Sequence, residues 1–268
     1  MTTAAPDARA AFLTLHRPGD PLLLPNAWDA GSARILAALG FAAVATTSSG
    51  FAATLGRPDG GATRDETLAH AAVLVAAVDV PVSADLENGF ADSPADVART
   101  VADTRRTGVA GASVEDATGR DDEPMYDRGL AVERVAAAAE AAGDLVLTAR
   151  CENHLYGRDD LADTIARLQA YQEAGADVLY APGLRDAAAI ATVCREVDRP
   201  VNALLVAGGP TPQELADAGV ARISVGGTFA WNALSALVDA ARELQAGGVG
   251  FLDRTGPARD VMPRAFQG

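Results

Sequence analysis

The chain has 268 residues, 49% of them apolar, and a formal net charge of −14. That length suits one large α/β domain with an ample core, and the acidic balance argues against nucleic acid or anionic membrane as partners. Only two cysteines occur, too few for a disulfide framework, so a reduced cytoplasmic setting is expected. All 22 basic residues are arginine. With no lysine, no side-chain Schiff base can form, and an enolate would have to be stabilised by a metal instead.

Met1–Asp7 carries no basic flank before an apolar stretch, so no secretory signal is expected, and no apolar run is long enough for a membrane span. Residues 1–19 predict an extra helix over Asp7–Leu15. Short apolar runs then alternate with helical patterns. The strands are expected at Leu22–Leu24, Ala42–Thr46, Val82–Asp85, Ala110–Val114, Leu145–Thr148, Val178–Tyr180, Val201–Leu204 and Ile223–Val225. They lack clear alternation, as strands covered on both faces do.

Between them, helices are expected at Ser32–Leu39, Thr67–Val78, Ala95–Thr107, Ala131–Ala142, Asp160–Glu173, Arg185–Glu196 and Phe229–Gln245. Thr63 with Glu66, Ser93 with Pro94, and Thr211-Pro212-Gln213-Glu214 mark helix starts. Eight such units predict a single (β/α)8 TIM barrel over residues 1–268, with a core of about 20–245. The Gly-, Pro- and Arg-rich tail, 246–268, reads as disordered or draped over a neighbour.

A barrel puts its active site at the C-terminal ends of its strands, and nearly every expected strand end here carries a polar group. Asp85-Leu86-Glu87-Asn88-Gly89 follows the third strand and Glu115-Asp116 the fourth. Asp85 and Glu87, two apart, would point the same way in extended backbone, and Glu115 would complete an all-oxygen set suited to Mg2+. Asp116 reads instead as pairing with an arginine or capping a helix. Arg150 ends the fifth strand and can grip a carboxylate, or pair with Glu115 or Glu152. Ser48, Ser49 and Gly50 offer hydroxyl and N–H donors to the same anion. Gly226-Gly227 hints weakly at a phosphate site.

These residues together resemble the isocitrate lyase / phosphoenolpyruvate mutase superfamily. Pro25-Asn26-Ala27-Trp28-Asp29-Ala30-Gly31-Ser32-Ala33 looks like its opening strand–helix turn. Thr47-Ser48-Ser49-Gly50 and Leu55-Gly56-Arg57-Pro58-Asp59 resemble its carboxylate loop and first acidic residue of the metal shell. Asp85-Leu86-Glu87-Asn88-Gly89-Phe90 is similar to its DxDxGF/Y motif, Val114-Glu115-Asp116 to its I/V-E-D, and Arg150 and Asn202 match its substrate-binding Arg and Asn.

The resemblance implies Mg2+, with Mn2+ as the alternative ion, bound directly or through water by Asp85 with Asp59, Glu87 and Glu115 around it. It implies a small 2-oxo or 2-hydroxy acid meeting Trp28, Ser48, Ser49, Gly50, Asp59 and Asn202, with Arg150 and Glu115 catalytic. The reaction passes through an enolate after C–C or P–C cleavage. It also implies a homo-oligomer, dimer or tetramer, exchanging the last barrel helix.

The departures matter. The lyases' K-[KR]-C-G-H loop is replaced by Ala117-Thr118-Gly119-Arg120-Asp121-Asp122-Glu123-Pro124-Met125-Tyr126, without Cys, His or Lys. A true isocitrate or methylisocitrate lyase is therefore not expected; Tyr126 or Arg120 are candidates to help Glu115 manage protons. The remaining readings are oxaloacetate decarboxylation, a phosphate-binding barrel isomerase using Gly226-Gly227, and a non-catalytic metal-binding barrel.

Overall fold

A computed structural model describes residues 8–267. Met1–Asp7, and with it the start of the expected first helix at Asp7, lie outside those residues. The helix is present as α1, Ala8–Leu13.

Nine parallel strand segments form one ring. In chain order they are β1 Leu22–Leu24, β2 Asn26–Ala27, β3 Val44–Thr46, β4 Val82–Asp85, β5 Gly111–Glu115, β6 Val146–Arg150, β7 Val178–Tyr180, β8 Val201–Leu204 and β9 Arg222–Ser224. β1 pairs with β9 and β2 with β3, so the two ends of the sheet are separated only by Pro25. Proline cannot donate to a ladder, so it divides one barrel strand into two pieces. The ring is thus an α/β TIM-type barrel, with each expected strand present to within two residues.

The helices α2 Ala30–Ala38, α4 Arg64–Ala77, α5 Pro94–Arg105, α6 Arg128–Ala142, α7 Leu161–Glu173, α8 Ala187–Glu196, α9 Pro212–Asp217 and α10 Thr228–Gln245 surround it, with α3, Ser48–Thr54, at the mouth. Thr63 and Thr211 form reciprocal capping boxes with Glu66 and Glu214, as their spacing predicts.

The N-terminal end is closed from within. Phe12 of α1 is fully buried against Leu22, Leu24, Ala43, Ala45, Ala110, Val146 and Val178. Gly111 makes this plug feasible, because a Cβ there would lie 2.8 Å from Phe12 Cε1 and 2.9 Å from the Val146 carbonyl oxygen.

The tail departs from expectation. Residues Gly250–Thr255 form a 3-10 turn and Gly256–Ala265 a helix, α11, which packs on α2 of its own chain. Buried Ala265 and the approach of Phe266 to Gly31 supply the apolar anchor that its composition concealed. By contrast α10 buries only Ala230 and exposes Trp231, Leu237, Val238 and Leu244. Among the described residues, no helix is long and apolar enough to cross a membrane.

Candidate active site at the barrel mouth

The C-terminal strand ends enclose two connected chambers. The inner one, about 230 Å³, is lined by Ser48, Ser49, Asp85, Arg150, Asn202 and Arg222 among others. The outer one, about 640 Å³, is lined by Asp59, Glu87, Glu115, Arg120 and Tyr156 among others. Ser48, Asp59 and Arg150 belong to both.

Arg150, the last residue of β6, stands at the centre. Its Nη1 donates to Asp85 Oδ1 (3.1 Å), its Nη2 pairs with Glu115 Oε2 (3.0 Å), and its Nε donates to Glu152 Oε1 (2.8 Å). The strands fix this geometry, for Glu115 and Arg150 are direct ladder partners. The guanidinium is 15% exposed, and the three carboxylates raise its pKa against the opposing effect of burial. It also lies 5.2 Å from the Tyr180 ring centre.

Asp85 gathers the site's donors. Its Oδ1 accepts from the Glu87 amide and the Ser113 hydroxyl, and its Oδ2 accepts from the Ser48 amide. Glu87 does not reach the site by strand alternation, because β4 ends at Asp85 and Glu87 adopts the left-handed φ of 50°. A non-glycine residue held there is strained, a condition that persists where surrounding structure enforces it.

Burial raises the Glu87 pKa to about 7, helped by Asp85 and Asp59, and one of its buried oxygens, Oε1, has no hydrogen-bond partner. Burial likewise raises Glu115 well above the ordinary range.

These features fit a hard cation. An orphaned carboxylate oxygen and mutually repelling acids are what Mg2+ with its water shell would relieve. The expected trio Asp85, Glu87 and Glu115 is not a ready-made cage, however. Among the described residues no three His, Cys, Asp or Glu side chains are arranged to ligate an ion by themselves. The physical reason is Arg150, which occupies both Asp85 and Glu115.

The other expected ligand contacts divide. Ser48 and Ser49 form the first turn of α3 and line the inner chamber, while exposed Asp59 lines both. Asn202 lines the inner chamber, but its amide is already engaged: Nδ2 donates to Ser224 Oγ (3.0 Å) and Oδ1 accepts from Arg222 Nε (2.9 Å).

Gly50 and Trp28 line neither chamber. A Cβ on Gly50 would lie 2.6 Å from Thr47 Cγ2 and 3.0 Å from Trp28 Cβ, so this glycine serves the packing of α3. Asp116 accepts from the Glu152 amide, Arg167 and the Tyr171 hydroxyl, which gives it the arginine-pairing role expected for it.

The loop after β5 is tied down. Ala117 bridges Met125, Thr118 donates its amide proton to the Pro124 carbonyl, and Tyr126 hydroxyl donates to Asp92. Tyr126 is 3% exposed, with the Arg134 guanidinium 4.0 Å from its ring centre. This removes Tyr126 from the chambers as a proton carrier. Arg120 lines the outer chamber while bonded to Asp92 and Glu123.

Glu152, one of the two carboxylates expected to pair with Arg150, is 2% exposed and completes the ring of acids on it. One participant escaped the sequence reading. Arg222 lines the inner chamber although it opens β9, one residue before the expected start of that strand. Its only sequence signal is an arginine inside the apolar run Val220-Ala221-Arg222-Ile223.

With this geometry in view, comparison with known proteins is decisive on kinship. Residues 12–245 match the phosphoenolpyruvate phosphomutase family. The chain belongs to that family. A candidate lyase/mutase from Burkholderia cenocepacia J2315 has a solved structure 52% identical to it, with a TM-score of 0.91, covering 97% of this chain and 96% of its own.

The 2,3-dimethylmalate lyase of Eubacterium barkeri is 31% identical over 71% of this chain and 68% of its own length. The 2-methylisocitrate lyase of Escherichia coli K12 is 29% identical over 75% and 74%. This family member thus sits among lyases and mutases of the phosphoenolpyruvate mutase / isocitrate lyase superfamily, and its barrel is theirs.

Proposed function

We propose that this family member is a Mg2+-assisted lyase that cleaves a C–C bond in a small 2-oxo or 2-hydroxy carboxylate through an enolate. The mutase-like rearrangement of a P–C bond is the second form this chemistry takes among its relatives. The observation that carries the reading is Arg150, a guanidinium joined to Asp85, Glu115 and Glu152 and facing both chambers.

Mg2+, or Mn2+, would be held by Asp85 directly or through water, inside a shell of Asp59, Glu87 and Glu115, and would supply positive charge to a substrate oxygen. Ser48 and Ser49 would donate their hydroxyl protons to the substrate carboxylate. In the cleavage of a 2-hydroxy acid, the hydroxyl proton passes to a carboxylate, which we take to be Glu115. The C–C bonding pair moves into the departing enolate, and the Arg150 N–H groups hold its oxygen until the carbon is reprotonated.

No residue in 117–126 is a Cys, His or Lys, which separates this chain from isocitrate and methylisocitrate lyases. Its relatives' chemistry supports the bond type rather than the substrate. The exposed apolar residues of α10, Trp231, Leu237 and Val238, suit a homo-oligomer in which a second copy covers this helix.

A coupled assay for pyruvate release tests the reaction, with oxaloacetate, 2-methylisocitrate and dimethylmalate offered with and without Mg2+ and read against Mg2+ alone, while phosphonopyruvate is followed by the formation of its isomer phosphoenolpyruvate. Magnesium-dependent release from one of them is the expected result. Silence across the panel from folded protein would overturn the proposal.

A further inference from the structure

The Arg150 guanidinium is held by three carboxylates, and the proposed reaction gives work to only two of them. Asp85 is the seat of the metal, and Glu115 takes the hydroxyl proton. Glu152 has no such task, yet its side chain is the most deeply buried of the three, 3% exposed against 17% for Asp85 and 16% for Glu115. A carboxylate is costly to keep in such a place without a strong partner. Its partner is Arg150 Nε, 2.8 Å from Glu152 Oε1.

The main chain of Glu152 is fixed on both sides. Its amide donates to Asp116 Oδ1 (2.8 Å), and its carbonyl accepts from the amides of Leu155 (3.0 Å) and Tyr156 (3.3 Å) in the 3-10 turn Asn153–Tyr156. Asp116 is itself buried and immobilised. Its Oδ2 accepts from Arg167 Nη1 (3.1 Å) and from the Tyr171 hydroxyl (2.5 Å), both on α7. Arg167 Nε continues to Asp163 Oδ2 (2.9 Å), which also accepts from Asn153 Nδ2 (3.0 Å). A polar network therefore runs from α7 through Asp116 to Glu152, in surroundings whose low dielectric strengthens each of its bonds.

The three nitrogens of the guanidinium are not equivalent. Nε carries one proton, and giving it to a fixed acceptor sets the direction of the planar fork. Nη1 and Nη2 carry two protons each, so both keep one for a ligand besides the one directed to Asp85 or Glu115. When Asp85 turns to a cation and Glu115 to the substrate hydroxyl, both of those holds on Arg150 weaken. The bond to Glu152 lies outside either exchange.

We propose that Glu152 is a positioning residue: anchored through Asp116 to α7, it holds the Nε edge of Arg150 so that the Nη groups stay aimed at the enolate oxygen while Asp85 and Glu115 are drawn to metal and substrate. This rests on the functional reading above and deepens it, by separating the carboxylates that take part in the chemistry from the one that keeps the arginine in place. Misplacing such a group by about 1 Å costs on the order of 10²-fold.

The test is calorimetry on the full chain, first with Mg2+ alone and then with oxalate in saturating Mg2+. Oxalate is planar and carries an oxygen where the enolate oxygen would lie, so it reads the aim of Arg150 without need of the substrate. Glu152→Ala is expected to bind Mg2+ as wild type does and to lose oxalate affinity about 10²-fold. Glu152→Gln keeps an oxygen able to accept from Nε and is expected to recover to within about tenfold of wild type.

Unchanged oxalate affinity in Glu152→Ala overturns the positioning role and leaves the functional reading standing. The same follows if Glu152→Gln binds oxalate as poorly as Glu152→Ala, because the role is that of an anchored bond and not of a negative charge alone. Loss of Mg2+ affinity along with oxalate affinity in both variants would make Glu152 a structural residue and overturn the role as well. Wild type that binds no oxalate in the presence of Mg2+ overturns both the role and the reading on which it rests.

Discussion

The two sides of the barrel mouth hold opposite charge. The side built by β4, β5 and β6 supplies Asp85, Glu115, Glu152 and the single arginine Arg150. The side built by β7, β8 and β9 supplies Tyr180, Asn202, Ser224 and Arg222 to the inner chamber, and no carboxylate. One side therefore has surplus acid held together by a cation; the other has a cation held by neutral groups. Such a site is polarised before any ligand arrives, suited to a metal at the acidic side and an anion at the basic one.

The sharpest way to break this comparison is to remove each arginine in turn in chelator. Arg150→Met leaves buried carboxylates facing one another and is expected to cost about 3–5 kcal/mol of stability, read by denaturant unfolding. Arg222→Met has no ion pair to lose but leaves the buried Asn202 Oδ1 and His16 Nε2 without their donor, so it is expected to cost less, about 1–3 kcal/mol. Equal losses would mean that the two sides are not electrostatically distinct. On activity, Arg150→Gln is expected to lower kcat/KM on the order of 10²–10³-fold, the scale of losing a donor to a developing oxyanion, measured in the pyruvate-release assay.

A smaller effect sharpens the basic side. His16 is held neutral with its pKa lowered to about 3 from 6.5. The unfolded chain takes up that proton as pH falls through 6.5 while the folded chain refuses it, so the stability from this group is complete above pH 6.5 and declines toward pH 3. Glu87 and Glu115 contribute the opposite slope, because their raised pKa values favour proton uptake in the folded state. The histidine contribution is therefore the difference between wild type and His16→Gln. The variant is expected to lose less stability than wild type between pH 6.5 and 5, and parallel curves would refute the neutral assignment.

The acidic side was the legible one. Asp85, Glu87 and Glu115 follow apolar runs that read as strands, and charges just past a buried strand are conspicuous. Glu87 lines the outer chamber but reaches it through a left-handed turn rather than strand alternation. The basic side hid its main residue because Arg222 starts a strand and points inward, so no strand-end rule finds it.

Two helices were hidden for other reasons. Ser48–Thr54 reads as a donor loop because its cap Thr47 lies in a run of hydroxyl residues, and Gly256–Ala265 is obscured by Gly256, Pro257 and Pro263. The strands themselves were plain, since burial on both faces leaves little but Val, Leu, Ala and Ile to read.

The measurement that bears most directly on the site is a Mg2+ titration by calorimetry of wild type and Asp85→Ala, with circular dichroism to show that both are folded. Saturable binding by wild type and its loss in the variant is the predicted result. Unchanged metal affinity in a folded Asp85→Ala protein would contradict the assignment of the acidic side as the metal's seat.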